Sequence, residues 1–332
     1  MESFAYADAS TVEEAIRVLD HVCRPLAGGT DLVGMMKKGL TTPERLVNLK
    51  AIAALRGIER GEHGWRIGAL TTLSTLERRE VDAADALNVL TQAAAESASP
   101  QLRHVATLGG NLLQRPRCWY FRNPLTRCWL KGGDRCLAAT GRNAYHAILG
   151  RGTCRMVHPS DPAVALQALD AQVEIVGPEG TRTLDLADVF ARPRQRNWSE
   201  TVLNADELVT ALLVPRPSTD ARGAYVKVAE RAAWDFALVS AAVRVSLSGE
   251  TVGEARVALG GVAALPWRAR EAEERLVGRA LTAETIEEAA LASSAGAAPL
   301  AENGYKVRLV EGAVREALRR VRRMQAPDRS FV

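Results

Sequence analysis

Two glycine turns, about eighty residues apart, constrain the fold of this chain more than any other feature. The first spans residues 27–32 (AGGTDL) after a short apolar strand, and the second spans residues 107–111 (TLGGN). Glycine has no Cβ, so backbone N–H groups can approach a phosphate closely where such a turn opens a helix. One such turn is weak evidence, because many glycine pairs only form tight turns. Two of them predict a phosphate-binding site assembled from two parts of the chain, without the G-x-G-x-x-G spacing of a Rossmann unit.

Four of the five cysteines follow the second turn, with the spacing C-x9-C-x7-C-x17-C. They are Cys118, Cys128, Cys136 and Cys154. Residues 115–157, here called the cysteine insertion, have neither a helical nor an alternating period. So long an irregular segment in a compact domain is normally functional or held by something. The odd number and the clustering argue against a disulfide framework and predict a metal or cluster bound by thiolates.

The spacing of these cysteines bears on which metal they bind. Structural zinc sites usually pair cysteines at C-x2–4-C, and no pair here is that close, so a [4Fe–4S] cluster is favoured over zinc and over free thiols. Cys23 stands apart and is expected to be a small buried hydrophobe. His104, His146 and His158 lie near the motifs, and each is expected to have a structural role through hydrogen bonds rather than to bind a metal.

Composition excludes some classes of protein. The 332 residues give room for two domains, and 47% hydrophobic with 25% charged residues is ordinary for a globular chain. A net charge of +4 and 5% aromatic residues do not indicate nucleic-acid binding. No apolar run is long enough for a membrane span, and the start MESFAYADAS is not a signal peptide. We therefore expect a cytoplasmic protein, or a periplasmic one if it is exported with a signal-bearing partner.

Periodicity predicts an α+β fold. Ser10-x-x-Glu13 is typical of a capping box, and Thr30 is expected to cap a second helix that Gly39 ends. Polar segments at 192–197 and 215–220 predict a linker. The following stretches AYVKVAE, ALVSAAVRVSLSG and EARVALGGVA alternate as antiparallel strands do. A last helix is predicted at about 305–324, with one apolar face.

Five segments, spread in order over nearly the whole chain, carry a family resemblance. They are AGGTDL, TLGGNLLQ, HPSDPAVALQALDAQVEI, AYVKVAERAAWDFALVSAAVRV and ALGGVAALPWRAREAE. They resemble the flavin-binding subunit of the molybdenum hydroxylases, the xanthine dehydrogenase and aldehyde oxidoreductase family. The resemblance implies a two-lobed FAD-binding domain of the vanillyl-alcohol-oxidase type over residues 1–217, with the insertion at about 115–157. It also implies a C-terminal α/β domain with a small antiparallel sheet over residues 222–326.

The resemblance also implies which residues bind the cofactors. Those for the FAD pyrophosphate are Arg24, Pro25, Leu26, Ala27, Gly28, Gly29, Thr30, Asp31 and Leu32, faced by Thr107, Gly109, Gly110 and Asn111. Asp161 is implied to bond the ribityl or ribose hydroxyls; the alternative is that it caps the helix that starts there, and both roles can coexist through different oxygens. Lys227 is implied at the polar edge of the isoalloxazine, where a cation stabilises reduced flavin, although it could be a solvent-facing strand residue. No side chain that shields the flavin face emerges.

The cysteine insertion resembles a subgroup whose flavin subunit carries an extra [4Fe–4S] cluster, and QRPRCWYF and GTCRMVHPSD are most similar to its aldehyde oxidoreductase type. The cluster ligands implied are Cys118, Cys128, Cys136 and Cys154. The extra cluster could be structural or an electron reservoir, and a structural role is favoured.

The resemblance implies an oxidoreductase subunit that works by electron transfer, without a catalytic residue of its own. Its partners would be a large molybdopterin-binding subunit, which oxidises the aldehyde or heterocycle, and a small [2Fe–2S] subunit. An external acceptor such as NAD, oxygen or ferredoxin would take the electrons, and neither substrate nor acceptor can be chosen. Two alternatives stay open: a stand-alone flavin oxidase or reductase, and a non-catalytic assembly subunit with a four-cysteine zinc site.

Overall fold

A computed structural model describes residues 1–79, 87–191 and 199–324. The strands are β1 (Ala5–Asp8), β2 (Cys23–Leu26), β3 (Arg45–Asn48), β4 (Ile58–Gly61), β5 (Gly64–Gly68), β6 (Gln172–Gly177), β7 (Gly180–Asp185), β8 (Leu208–Pro215), β9 (Ala221–Val228), β10 (Val239–Ser248), β11 (Thr251–Gly260) and β12 (Trp267–Arg268). The helices are α1 (Val12–Val18), α2 (Leu32–Lys37), α3 (Leu73–Glu77), α4 (Asn88–Ala95), α5 (Pro100–Arg103), α6 (Leu108–Leu112), α7 (Trp119–Arg122), α8 (Asp161–Ala168), α9 (Leu186–Val189), α10 (Arg270–Leu276), α11 (Ala283–Ala292) and α12 (Tyr305–Arg323). Short 3₁₀ segments lie at Ala53–Leu55, Trp129–Lys131 and Leu137–Ala139.

The first lobe is a small parallel sheet in the order β1-β3-β2. The hydrophobic core of this lobe includes residues of α1. The N–H groups at the start of α1 are hydrogen-bonded by side chains of neighbouring residues. Thr11, not Ser10, is the N-cap of α1, because its side chain accepts a hydrogen bond from the Glu14 N–H at 3.2 Å. Ser10 instead donates its N–H to the Glu14 carboxylate at 2.8 Å. The helix therefore starts one residue later than the expected capping box, and Glu14 accepts from the N–H before the N-cap rather than from that of the N-cap itself.

The second lobe is a five-stranded antiparallel sheet in the order β4-β5-β8-β6-β7. Strand β8 returns after a long connection and inserts between β5 and β6, so both edges of the sheet derive from earlier parts of the chain. Helix α8 is buried along its whole length and packs with α3, α4 and α6 in the main hydrophobic core. Two separate sheets before residue 216 confirm the two-lobed arrangement. The linker segment 192–197 lies outside the described residues, and residues 215–220 connect β8 to β9.

The C-terminal domain is a four-stranded antiparallel sheet in the order β12-β11-β10-β9, as the alternating stretches predicted. Successive residues of a strand point to opposite faces. On β10, Ala241 and Val243 face the core shared with α10, α11 and α12, whereas Ala242 joins the core of the FAD-binding lobes. The sheet is thus buried on both faces and fixes the two domains against each other. The apolar face of α12, with Val310, Val314 and Leu318 fully buried, confirms the predicted helix.

The cysteine insertion has little regular structure, as expected: one turn of α7 and two short 3₁₀ segments. It folds around a small core of its own that contains Phe121, Cys128, Leu130 and Met156, with Met35 of α2. In the part of the chain that the structure describes, no helix is both long and apolar enough to cross a membrane.

Candidate flavin cleft and four-cysteine cavity

The first glycine turn is pressed against the chain that leads into the second. A Cβ added to Gly28 would lie 1.9 Å from the backbone oxygen of Val105, two residues before Thr107. No side chain fits at this position. Gly29 has a φ of +72°, a left-handed conformation that glycine adopts without strain. The structure therefore brings the two turns together, as the sequence predicted.

The second turn is closed by its own side chain. Thr107 is the N-cap of α6, and its hydroxyl accepts a hydrogen bond from the Gly110 N–H at 3.2 Å. A Cβ on Gly109 would lie 2.9 Å from the Cβ of Ala69, so this glycine also allows a close approach. In the first turn, Asp31 rather than Thr30 is the N-cap of α2, and Gly39 follows the end of that helix with a φ of +64°.

A cavity of about 240 Å³ opens between the two turns, and we call it the glycine cleft. The predicted residues that line it are Arg24, Pro25, Ala27, Gly28, Gly29, Thr30, Asp31, Leu32, Thr107, Gly109 and Gly110. A neighbouring cavity of about 420 Å³ shares Arg24, Gln114 and Leu208 with it. The two cavities are therefore adjacent, and the glycine turns line the first of them, where their backbone N–H groups suit the phosphates of a dinucleotide.

Two residues of these cavities, Arg115 and Glu200, were not predicted from the sequence. Arg115 lines both cavities, and its Nε lies 2.9 Å from the Glu200 carboxylate in the second. Burial raises the pKa of Glu200, and the charge of Arg115 opposes that rise. The two residues are 85 positions apart, so no local pattern could have paired them.

Asp31 connects the first turn to the cysteine insertion. Its carboxylate accepts hydrogen bonds from the Arg115 N–H at 2.9 Å and from the Arg122 guanidinium at 2.8 Å. Arg117 lies 3.0 Å from the same carboxylate, and burial lowers the pKa of Arg117 to about 10. The side chain of Asp31 is therefore engaged with the insertion, while the residue still contributes to the wall of the cleft.

Asp161 and Lys227 lie together but outside the glycine cleft. The Lys227 ammonium is 2.8 Å from the Asp161 carboxylate, whose other oxygen accepts from the Tyr225 hydroxyl at 2.6 Å. Lys227 also donates to the backbone oxygens of Glu96 and Asp235 at 2.8 Å each. The side chains of the pair are only 7% and 5% exposed, so the alternative of a solvent-facing Lys227 is wrong.

Ser160 links that pair to the second turn. It is the N-cap of α8 and accepts from the Ala163 N–H at 3.1 Å, so the alternative capping role of Asp161 is taken by its neighbour. The Ser160 hydroxyl also donates to Asn111 at 2.5 Å. Asn111 thus contacts α8 rather than lining the cleft, and Leu26 is the last residue of β2.

Four thiols line one small enclosed space in the insertion, which we call the four-cysteine cavity. They belong to Cys118, Cys128, Cys136 and Cys154. Aromatic and apolar side chains complete the wall, among them Tyr120, Phe121 and Met156. None of the five cysteines, all within the described ranges, forms a disulfide. Across residues 1–79, 87–191 and 199–324, no three His, Cys, Asp or Glu side chains converge around the position of a single metal ion.

The pKa values of Cys118, Cys136 and Cys154 are shifted in different directions. Burial raises the pKa of Cys118 to about 11. A hydrogen bond from Cys154 lowers the pKa of Cys136 to about 6, and the same bond together with burial raises the pKa of Cys154. Of these three thiols, Cys136 is therefore the one most readily available as a thiolate ligand at neutral pH.

The structure places Cys23 and the three histidines as follows. Cys23 is buried at the start of β2. His104 lies 3.2 Å from the Arg78 guanidinium, and His158 is edge-on to Phe190. His146 Nε2 lies 3.2 Å from the Cys118 sulfur. Burial lowers the pKa of both His146 and His158 to about 4, so both rings are neutral at pH 7.

Comparison with known proteins agrees with this architecture. Residues 2–217 match the family described as "FAD binding domain in molybdopterin dehydrogenase", and residues 224–321 match "CO dehydrogenase flavoprotein C-terminal domain". The aldehyde oxidoreductase FAD-binding subunit PaoB of Escherichia coli K12 is 38% identical over 97% of this chain and 99% of that protein. The carbon monoxide dehydrogenase medium chain of Afipia carboxidovorans is 30% identical over 96% and 97%.

A solved structure shares the fold. One chain of the reconstituted CO dehydrogenase from Oligotropha carboxidovorans superposes with a TM-score of 0.77 at 28% identity, over 97% of this chain and 98% of that one. Two domains, a cleft between two glycine turns and both family matches lead to one conclusion. The chain belongs to the molybdopterin dehydrogenase FAD-binding family and is an FAD-binding medium subunit of an oxidoreductase of the molybdenum hydroxylase type.

Proposed function

We propose that this chain is the FAD- and [4Fe–4S]-binding electron-transfer subunit of a molybdenum-dependent complex of the aldehyde oxidoreductase type. Its partners are a large molybdopterin-binding subunit, on which the organic substrate is oxidised, and a small [2Fe–2S] subunit, from which it receives electrons. The single observation that carries the proposal is the pairing of the glycine cleft with the four-cysteine cavity in one chain, joined through Asp31. The relative from E. coli K12 is named an aldehyde oxidoreductase subunit, which favours that class.

The glycine cleft is the proposed FAD site. Residues 24–32 and 107–111 are proposed to hold the pyrophosphate through backbone N–H groups, because both glycine turns line the cleft and Gly28 and Gly109 let the surrounding backbone pack closely enough to form it. Asp161 and Lys227 stay predicted flavin contacts. Lys227 donates to Asp161, and Ser160, the residue before Asp161, donates to Asn111 of the second turn. When bound, FAD supplies a carrier that exchanges electrons singly or in pairs.

The four-cysteine cavity is the proposed cluster site. Four thiols around an apolar space match the donor set of a [4Fe–4S] cluster, which cysteine thiolates hold one to each iron. Four ligands of a zinc ion must instead converge on one point at about 2.3 Å. The wide spacing of the four cysteines in sequence, with no pair at C-x2–4-C, therefore favours the cluster. When bound, such a cluster supplies a one-electron carrier or a structural staple, and we favour the staple.

Domain limits, acceptor and compartment complete the proposal. We assign residues 1–217 to the FAD-binding domain and 222–326 to the C-terminal domain. NAD, oxygen and ferredoxin are the candidate acceptors. The cytoplasm is the proposed compartment, with the periplasm as the alternative for a complex exported with a signal-bearing partner.

The deciding experiment is an absorption spectrum of the anaerobically purified chain, with flavin, iron and zinc quantified on the same sample. We expect flavin bands, a broad thiolate-to-iron shoulder and about four irons per chain. Flavin with zinc and no iron would contradict the cluster and leave an FAD subunit with a structural zinc site. Neither flavin nor iron would refute the electron-transfer role and leave the non-catalytic assembly subunit.

A further inference from the structure

A histidine stands beside the four-cysteine cavity. The ring of His146 is buried, with Nε2 3.2 Å from the sulfur of Cys118. The ring of Trp119 meets it edge-on, with centroids 5.1 Å apart at an interplanar angle of 74°. His146 is not one of the cavity-lining residues, so it approaches the sulfur from outside the space that the thiols enclose.

The surroundings of the two ring nitrogens fix where the proton lies. A neutral imidazole carries one N–H. Nδ1 is buried and has no hydrogen-bond partner among the described residues, so a proton there would be an unsatisfied buried donor. A proton on Nε2 points at a sulfur acceptor instead. A cysteine that binds metal is a thiolate and has no proton to give, so this bond is donated by His146.

The C-terminal domain holds His146 in place. Asn303 donates its side-chain amide to the His146 carbonyl at 3.0 Å. Lys306 donates to the Tyr145 carbonyl at 3.0 Å and to Gly261 of the C-terminal domain at 2.7 Å. These bonds come from the start of α12 and the residues just before it, so the donor cannot move away from Cys118 without disturbing a second domain.

We propose that His146 is a positioning residue for the [4Fe–4S] cluster, whose Nε2–H donates to the Cys118 sulfur and raises the reduction potential of that cluster. The inference rests on the proposed function, because it requires the cluster. The physical basis is the difference in charge between the reduced and the oxidised cluster. The reduced cluster carries one more electron, so a donor to a ligand sulfur stabilises the reduced state more than the oxidised state.

Two variants separate the hydrogen bond from mere packing. In His146→Leu the donor is lost, whereas in His146→Gln the side-chain amide nitrogen can occupy the position of Nε2. The measurement is a redox titration of the purified chain followed by electron paramagnetic resonance, with iron and flavin content on each sample. We expect a lower cluster potential in His146→Leu, a potential near that of the wild type in His146→Gln, and an unchanged flavin potential in both.

An unchanged cluster potential in an iron-loaded His146→Leu protein would overturn the inference, since a packing role alters iron content but not potential. If His146→Leu does not load iron, the inference is tested on the wild-type protein instead. With ¹⁵N-labelled histidine, pulsed paramagnetic resonance of the reduced wild-type cluster should detect a histidine nitrogen that is missing in His146→Gln. Its absence from the wild type would also overturn the inference. A wild type without iron refutes the proposed function itself, a distinct result.

Discussion

The glycine cleft and the cysteine insertion are built in opposite ways. The cleft depends on close backbone packing. Gly28 lies against the Val105 carbonyl, and this contact is possible because glycine has no side chain. The insertion has almost no regular backbone structure and depends on side chains, both its four thiols and the anchors that hold it. A backbone site should therefore fail when one methyl group is added. A side-chain site should fail when one donor atom is exchanged, without harm to the cleft.

Gly28→Ala should have the largest effect. The new Cβ would lie 1.9 Å from the Val105 carbonyl oxygen, so the two turns must separate. We expect loss of FAD and a free energy of unfolding lower by about 3 kcal/mol, the upper range for overpacking. Flavin absorbance per chain and thermal unfolding measure both. Gly34→Ala is the matched control, because a Cβ there meets no described atom within 4 Å and alanine favours the helix. Full flavin loading of Gly28→Ala would show that the turns are not locked together.

Cys128→Ser should empty the four-cysteine cavity and spare the cleft. A serine hydroxyl is a poor substitute for a thiolate iron ligand, so we expect iron to fall well below the wild-type content while FAD stays bound. Iron and flavin analysis of the same sample test the separation. Cys23→Ala, a change of the cysteine outside the cavity, should retain its iron. If Cys128→Ser lost FAD as well, the two regions would be one cooperative site.

Asp31→Asn should weaken both regions together, because it removes the charge that Arg117 and Arg122 share. Charge-assisted hydrogen bonds of this kind contribute about 2 kcal/mol, so we expect a partial loss of both FAD and iron and a lower unfolding temperature. The control is Asp134→Asn, an exposed carboxylate of the same insertion. A loss confined to one cofactor would show that Asp31 serves only that region.

Lys306→Met should have the smallest effect, a change in the pH dependence of stability. Burial lowers the pKa of Lys306 from 10.5 to about 7, so the folded chain binds fewer protons than the unfolded chain between those values. The free energy of unfolding then rises with pH in that window, with a contribution of at most about 1.4 kcal/mol per pH unit. Denaturant unfolding at pH 7, 8 and 9 should give a shallower slope for Lys306→Met. The same slope in both proteins would mean that this lysine is charged when folded.

The segments with local patterns were predicted well. Alternation along β9, β10 and β11 gave the antiparallel sheet, and the apolar face of α12 gave the last helix. The prediction was less accurate for the exact residue at which a helix begins. The N-cap of α1 is Thr11 rather than Ser10, because the Thr11 side chain accepts the Glu14 N–H. The N-cap of α2 is Asp31 rather than Thr30, although the Asp31 carboxylate bonds to the cysteine insertion and not to the helix. Pattern alone cannot decide between such neighbouring polar residues.

Contacts between distant residues were beyond the sequence. Nothing local pairs Arg115 with Glu200, or turns the carboxylate of Asp31 towards three arginines of the insertion. The Asp161–Lys227 pair and the approach of His146 to Cys118 likewise join residues from separate parts of the chain. Each depends on how the lobes and the C-terminal sheet pack, and on the cost of burying a charge without a partner.

By itself the sequence determined which chemical groups are present and how the chain alternates: glycines where the backbone must come close, thiols in one segment, and periods of two and of three to four residues. The tertiary structure alone decided which of these groups meet. It placed Gly28 against Val105, closed four thiols around one cavity, and set His146 beside Cys118 from a loop held by the C-terminal domain. The physical reason is range, because propensity and turn chemistry act over a few residues, whereas burial and charge pairing act between any surfaces that the fold brings together.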